Sequence, residues 1–368
     1  MMIQATIVIP TRNRARSLER AIAAFARQDF SRTGYEILVV DNGSTDDTAE
    51  VATKAGTDHP GLNLSCVYEP VPGLLYGRHR GALEARGDLL CFVDDDIEVA
   101  TTWLSAIVET FTDEALHLVG GPSEPRFEVD PPAWMDRFMD RRNGRINCGD
   151  LSLFDIGDRT VPVDPTYVWG LNFSIRKQTL FDLGGFHPDC IPKELQHFQG
   201  DGETGLALKI REKGLSAVYA AGARVIHHIP RERLTVAYFE NRYFYQGVCD
   251  SYTGIREARG VGDEIDCPSA GPVAIPTDGT LYDRYRQIVY GRIQSAHAAG
   301  FRFHQEAVRA DRRLLDWVLR DDYLDFRLPD LGAGAGTGPG GKENSAEEGR
   351  TTDPIIAEQL TPRISKVA

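Results

Sequence analysis

The chain alternates short apolar, β-branched runs with stretches whose apolar residues recur every three or four positions. Thr6 to Ile9 is a run of the first kind and stops at Pro10, which offers no backbone donor. Leu18, Ile22 and Phe25 follow at the spacing of one helix face. Glu36 to Val40 reads as a second strand, and Ser44 with Asp47 three residues later resembles a capping box opening a helix. Leu64 to Tyr68 is a third strand, Tyr76 to Ala85 a helix, and Leu89 to Val93 a fourth strand. Trp103, Leu104, Ile107, Val108 and Phe111 mark one face of another helix. Near-continuous apolar strands alternating with amphipathic helices predict an α/β fold, a Rossmann-like and mostly parallel sheet flanked by helices on both faces.

The pattern changes after residue 122. Residues 123 to 165 are rich in Pro, Asp and Arg and have few periodic runs, which predicts a loop-rich segment able to order over a ligand. Tyr167 to Ile175 reads as a strand, Glu203 to Lys213 as a helix ending at Gly214, and Ser216 to Ile229 as extended chain. Glu232 to Tyr252 reads as an aromatic-rich helix, and a helical extension runs from Leu281 to Leu319. Beyond Leu328 a Gly-Ala-Gly run leads into a polar end, a composition expected to form a flexible, disordered tail.

Composition narrows the function classes. No apolar run approaches the roughly 18 residues that cross a bilayer, so no integral membrane segment is expected. Ala5 to Pro10 is too short for a signal-peptide core, and its basic residues Arg12, Arg14 and Arg16 follow it rather than precede it. A cytoplasmic location is therefore expected. Six cysteines are scattered without a C-x-x-C pair, as in a reduced chain with no zinc cluster. The formal net charge of −13 disfavours a nucleic acid as the main partner, because phosphate backbones call for a basic surface.

In an open parallel sheet, ligands bind beyond the carboxyl ends of the strands. There the sequence places Pro10-Thr11-Arg12-Asn13-Arg14, Asp41-Asn42-Gly43-Ser44-Thr45-Asp46 and Asp94-Asp95-Asp96. The first of these lacks the G-x-G-x-x-G turn of a dinucleotide site, which disfavours NAD. Asp41, at the end of its strand, reads equally as a turn residue or as an acceptor for a ribose hydroxyl or base N–H. Three adjacent carboxylates repel one another unless they are solvated or hold a cation. Alternation along extended chain puts Asp94 and Asp96 on one side and Asp95 on the other, a pair suited to a hard divalent ion that also takes phosphate oxygens.

These segments resemble the successive signatures of family 2 glycosyltransferases: Val8 to Arg14, Val39 to Asp46 and Gly87 to Asp96. The likeness continues through Gly73 to Gly81, Trp169-Gly-Leu-Asn172, Gly184-Gly-Phe186 and Gly200 to Gly214. It implies a GT-A fold and an inverting, hexosyltransferase-type enzyme that uses a nucleotide-sugar donor (UDP-, dTDP- or GDP-sugar). It also implies a divalent metal, Mn2+ or Mg2+. Carried over by position, it gives Pro10, Thr11, Arg12 and Asp41 to the nucleobase and ribose, and Arg78 to the diphosphate. Asp94 and Asp95 fall beside the donor, and Asp96, Asp94 and His227 at the metal, with His228 the alternative by register. The family's general base falls in Gly200-Asp201-Gly202-Glu203-Thr204-Gly205-Leu206, which departs from the usual pattern. Counting back from Leu206 selects Glu203, and counting forward from Gly200 selects Asp201.

The same resemblance divides the chain into a nucleotide-sugar-binding part over 1–122 and an acceptor-binding and catalytic part over 123–252. A helical extension over 253–328 and a tail over 329–368 follow. The acceptor is a small molecule, a glycan or a protein, and Trp134, Trp169 and the aromatic helix after Arg233 offer either a stacking surface or core. Two competing readings share the metal and the sheet. A sugar-nucleotide pyrophosphorylase needs a glycine-rich loop after the first strand, which is absent, and a catalytically silent nucleotide-sugar-binding module is consistent with the altered Gly-Asp-Gly-Glu segment.

Overall fold

The computed structural model describes residues 3–262, 280–325 and 328. β1 (Ala5–Thr11) and β2 (Tyr35–Asp41) are buried at every position, as strands covered on both faces must be. α1 (Ala15–Phe25) and α2 (Thr48–Asp58) connect them to β3 (Leu64–Tyr68), and α3 (Leu74–Glu84) leads into the fully buried β4 (Leu89–Val93). After β5 (Ile97–Val99) and α4 (Trp103–Thr110), the chain forms β6 (Leu116–Gly120) and β7 (Ser123–Phe127). A hairpin of β8 (Asp140–Arg142) and β9 (Arg145–Asn147), then β10 (Val161–Val163), leads to β11 (Asn172–Arg176) and α5 (Lys177–Asp182). The last part holds α6 (Glu203–Glu212), β12 (Ser216–Tyr219), β13 (Val225–Ile229), α7 (Val236–Ala258), α8 (Leu281–Ala310) and α9 (Arg312–Val318).

Eight strands form one sheet in the order β10-β12-β6-β11-β4-β1-β2-β3. β1 pairs in parallel with β2 and β4, and β2 with β3, while β11 and β10 run antiparallel to their neighbours. The register Thr11↔Asp41 brings the first two polar strand ends side by side. A smaller sheet, β5-β13-β7, stands next to the end of β4. Trp103 fixes the main core against the sheet: its ring meets Phe25 edge-on at 5.4 Å, and its Nε1 donates to Asn172 Oδ1 at 3.0 Å. α7 and α8 lie in close contact, because Gly247 and Gly300 carry no side chain where the helices cross. A Cβ at Gly247 would fall 2.0 Å from the His297 carbonyl, and one at Gly300 would fall 1.8 Å from that of Phe244.

The mostly parallel, helix-flanked sheet is the one the apolar pattern predicts. Several local expectations change. Residues 123 to 165 are built of short strands and turns, because β7 finds its partner in β13, a hundred residues away in sequence. The strand expected from Tyr167 begins at Asn172, after a 3-10 turn over Pro165–Tyr167. Ser216 to Ile229 divides between two sheets, and the helix expected over Leu281–Leu319 breaks at Asp311, whose side chain caps α9. No capping box forms at Ser44. Asp47 is the N-cap residue of α2 without a side-chain bond, while Ser44 Oγ accepts from the Asn13 backbone N–H at 3.0 Å. α7 runs without a break across residue 252, and the expected tail lies outside the described residues. Cys66, Cys91, Cys148, Cys190 and Cys249 are free thiols.

Two buried histidines set an acid limit on stability. His79 Nε2 accepts from the Phe186 backbone N–H at 2.8 Å, and His304 Nδ1 pairs with the Ser251 hydroxyl at 2.8 Å. Burial lowers each to about 3. The unfolded chain takes up these protons near pH 6.5, whereas the folded chain does not. Their contribution is therefore complete above that pH and is lost as pH falls from about 6.5 towards 3, by about 1.4 kcal/mol per pH unit for each histidine. Urea denaturation at pH 7.0 and pH 5.5 should show a marked drop in the midpoint, and His304→Asn should make that drop shallower. A midpoint independent of pH over this range would contradict the assignment.

Candidate active site

β1, β2 and β4 end at one edge of the sheet, so their terminal side chains share a space. A cavity of about 310 Å³ there is lined by Pro10, Thr11, Arg12, Asp94 and Asp95 from the expected set, together with Arg14, Asn42, Leu74 and Arg233. Asp41 is not on its wall. Its Oδ1 accepts from the Ser44 backbone N–H at 2.8 Å and shapes the turn, while Asn42 holds the neighbouring loops, donating to the Val71 carbonyl at 2.6 Å and accepting from the Gly73 N–H at 2.8 Å.

The chain leaves the extended conformation after Asp94, so strict alternation does not carry through the acidic triplet. Asp95 accepts from Thr11 Oγ1 at 2.6 Å and from Arg14 Nη1 at 2.7 Å, and the same Arg14 nitrogen reaches Asp96 Oδ2 at 2.9 Å. Arg233 Nη2 also donates to Asp96 Oδ2, at 2.9 Å. Burial pushes Asp94 up to about 6, reinforced by the charge of Asp96. Burial alone would raise Asp96 too, but the guanidiniums of Arg233 and Arg14 hold its carboxyl below the usual range.

On β13 the two histidines face opposite ways. Its side chains alternate, so Val225, His227 and Ile229 face inward, whereas His228 reaches Glu98 Oε1 at 2.7 Å. His227 Nδ1 lies 2.9 Å from the Leu151 carbonyl, an acceptor only, so that nitrogen carries the hydrogen. Nε2 is then a lone pair, accepting from Arg233 Nη1 at 2.8 Å and lying 3.6 Å from Asp96 Oδ1. That carboxylate oxygen is buried and has no hydrogen-bond partner. A carboxylate oxygen and an imidazole lone pair side by side suit a Mn2+-type ion. Among the described residues no third His, Cys, Asp or Glu joins them, so the remaining positions would fall to water and to donor oxygens.

Arg78 joins this edge to a second cavity. Its buried guanidinium donates to Glu203 Oε2 at 3.0 Å, lies 3.7 Å from Asp189 Oδ2 and feels the charge of Asp94. Glu203, at the start of α6, also accepts from the Gly170 backbone N–H at 3.1 Å through Oε1. Burial would raise Glu203, but Arg78 and these hydrogen bonds keep it below the ordinary glutamate value, and so ionised at neutral pH. Glu203 faces a cavity of about 540 Å³ with Asp150, Trp169, Arg242 and Tyr243. Trp134, in contrast, is core, meeting Phe239 edge-on at 5.1 Å. Asp201 turns the other way. Its Oδ1 binds His187 Nδ1 at 2.7 Å and its Oδ2 accepts from Thr253 Oγ1 at 2.8 Å, so both oxygens tie α6 to its surroundings.

Gly170 is indispensable to this geometry: a Cβ there would lie 2.0 Å from Arg78 Nη2 and 3.1 Å from Glu203 Oε1. Gly170→Ala is expected to displace the pair and lower kcat/KM about 100-fold, since small misplacements of reacting groups carry costs of that size. Nucleotide affinity, read by calorimetry, should stay within a few-fold of the parent, and an unchanged kcat/KM would refute the role.

Residues 6–180 match the family described as Glycosyl transferase family 2. This part of the chain belongs to that family. Glycosyltransferase AglE of Haloferax volcanii is 32% identical over 32% of this chain and 39% of its own length. The glucosyl-dolichyl phosphate glucuronosyltransferase of the same organism is 24% identical over 67% of this chain and 75% of its own. The chain thus spans well under half of the first of these relatives. A solved mannosyltransferase, PcManGT from Pyrobaculum calidifontis in complex with GDP-Man and Mn2+, superposes with a TM-score of 0.50 at 18% identity, covering 88% of this chain and 86% of that one. At that identity the likeness establishes the fold, GT-A.

Arg14, Asn42, Asp189 and Arg233 also stand at this edge, and the motifs do not single them out. Arg14 and Asn42 lie inside quoted segments and are found by asking what stands beside each strand end. Asp189 and Arg233 come from connecting loops and carry no sequence signal of their own.

Proposed function

We propose that the protein transfers a sugar from a nucleoside-diphosphate-sugar to an acceptor hydroxyl with inversion, by a metal-assisted single displacement. The observation that carries this reading is the run of side chains Asp94, Arg78 and Glu203: Asp94 lines the strand-end cavity, Glu203 lines the second, and the Arg78 guanidinium binds Glu203 and feels the charge of Asp94. The nucleotide occupies the cavity of Pro10, Thr11, Arg12 and Asp95, and the acceptor enters beside Glu203. At this junction Arg14, Arg78 and Arg233 are already paired with Asp95, Asp96, Asp189 and Glu203, while Arg12 and Arg242 line the two cavities, so a divalent ion would add to the charge that an entering diphosphate meets.

Asp96 and His227 would hold the divalent ion, which supplies electrostatic stabilisation of the departing diphosphate. Glu203 accepts the proton of the acceptor hydroxyl as its oxygen bonds to the anomeric carbon. The bond from that carbon to the diphosphate breaks on the opposite face, and the leaving oxygen departs with its electron pair. Arg78 holds the Glu203 carboxylate ionised and oriented. Asp201 serves α6 rather than the proton.

Trp169 presents an aromatic ring among Asp150, Gln246 and Asp250, a combination that suits a sugar ring with several hydroxyls, and the acceptor is accordingly a glycan or sugar-bearing molecule. The test is transfer to a panel of sugars, with the anomeric configuration of the product read by NMR. An inverted linkage supports the reading, and a retained one refutes it.

A further inference from the structure

Arg233 reaches the site from a 3-10 turn over Arg231–Leu234, between β13 and α7. Its two terminal nitrogens fork across the groups just assigned to the ion: Nη1 to His227 Nε2 at 2.8 Å and Nη2 to Asp96 Oδ2 at 2.9 Å. The hydrogen on His227 Nδ1 is committed to the Leu151 carbonyl, so the ring has a single lone pair, on Nε2. One lone pair serves one partner. Arg233 and a cation therefore cannot both hold His227. The Arg233 side chain is about one-fifth exposed and already lines the nucleotide cavity, so it has somewhere to go.

We propose that Arg233 is an exchangeable occupant of the cation site. A divalent ion displaces it from His227 and Asp96, and the released guanidinium turns into the nucleotide cavity to take a diphosphate oxygen. The inference rests on the metal-assisted reading above and adds a consequence for binding order. Ion alone must break two charge-assisted contacts of Arg233. Ion with nucleotide gives that guanidinium new phosphate partners in exchange, so each ligand tightens the other. Arg233 acts here as a positioning residue that couples the two sites, and its charge keeps the buried Asp96 carboxylate compensated while no ion is bound.

The test measures Mn2+ binding directly, from the electron paramagnetic resonance signal of the free ion, on the full chain with and without UDP or GDP. Without nucleotide, Arg233→Met should bind Mn2+ about tenfold more tightly than the parent, a typical coupling magnitude. Adding the cognate nucleotide should tighten Mn2+ binding strongly in the parent and far less in Arg233→Met. Arg233→Lys, whose single ammonium cannot fork across both groups, should fall between them and carries the comparison if the methionine variant does not fold. Equal or weaker Mn2+ binding by both variants without nucleotide would overturn the exchange while leaving the metal site standing. Absence of Mn2+ binding by parent and variants alike would overturn the exchange and the metal-assisted reading together.

Discussion

Asp96→Asn should reduce sugar transfer by about 10³-fold, the scale seen when a pre-organised charge is removed from a developing anion. The substitution keeps the shape and the hydrogen-bonding capacity of the side chain but removes the negative charge that faces Arg14, Arg233 and His227. It therefore separates charge from packing. The variant should remain folded, because Asp95 keeps its own bonds to Thr11 and Arg14. The loss should appear in Mn2+ binding and in kcat together. Full activity in a folded Asp96→Asn protein would remove the ion from the account.

The second large effect is expected at Glu203. Glu203→Gln retains acceptors and donors near Gly170 and Arg78 but cannot take a proton, so kcat should fall by about 10² to 10⁴-fold with donor affinity nearly unchanged. Asp201→Asn should behave differently. It weakens the buried bond to His187 and so costs stability, about 1–3 kcal/mol, with little effect on kcat in the protein that remains folded. Donor affinity by calorimetry, single-turnover transfer and urea denaturation on both variants resolve the pair. If Asp201→Asn abolished transfer and Glu203→Gln did not, the proton acceptor would be misassigned.

The contrast between these two carboxylates shows where sequence reading ends. They lie two positions apart at the start of α6, and counting from either end of the motif selects a different one. Only the surroundings distinguish them: Asp201 meets His187 and Thr253, whereas Glu203 meets Arg78 and Gly170. The strand-end clusters were easier to read, because a parallel sheet places the residue after each buried run at a common edge. His227 and His228 are neighbours in the sequence but face opposite ways, because β13 alternates between an inner and an outer face. Arg233 was invisible, since it joins Asp96 across 137 positions and no local spacing reports such a contact. The 123–165 segment looks loop-like in sequence for a related reason: the short β7 has no periodicity, and it is a strand only because β13 lies beside it.

Metal-assisted transfer from a nucleotide-sugar makes a direct demand: the purified protein is offered UDP-, dTDP- and GDP-sugars, with Mn2+ or with excess chelator, and nucleoside diphosphate release is measured. One donor class should be hydrolysed slowly without acceptor, with release lost on chelation and in Asp96→Asn. No release and no binding with any donor, from protein shown to be folded, would contradict the claim.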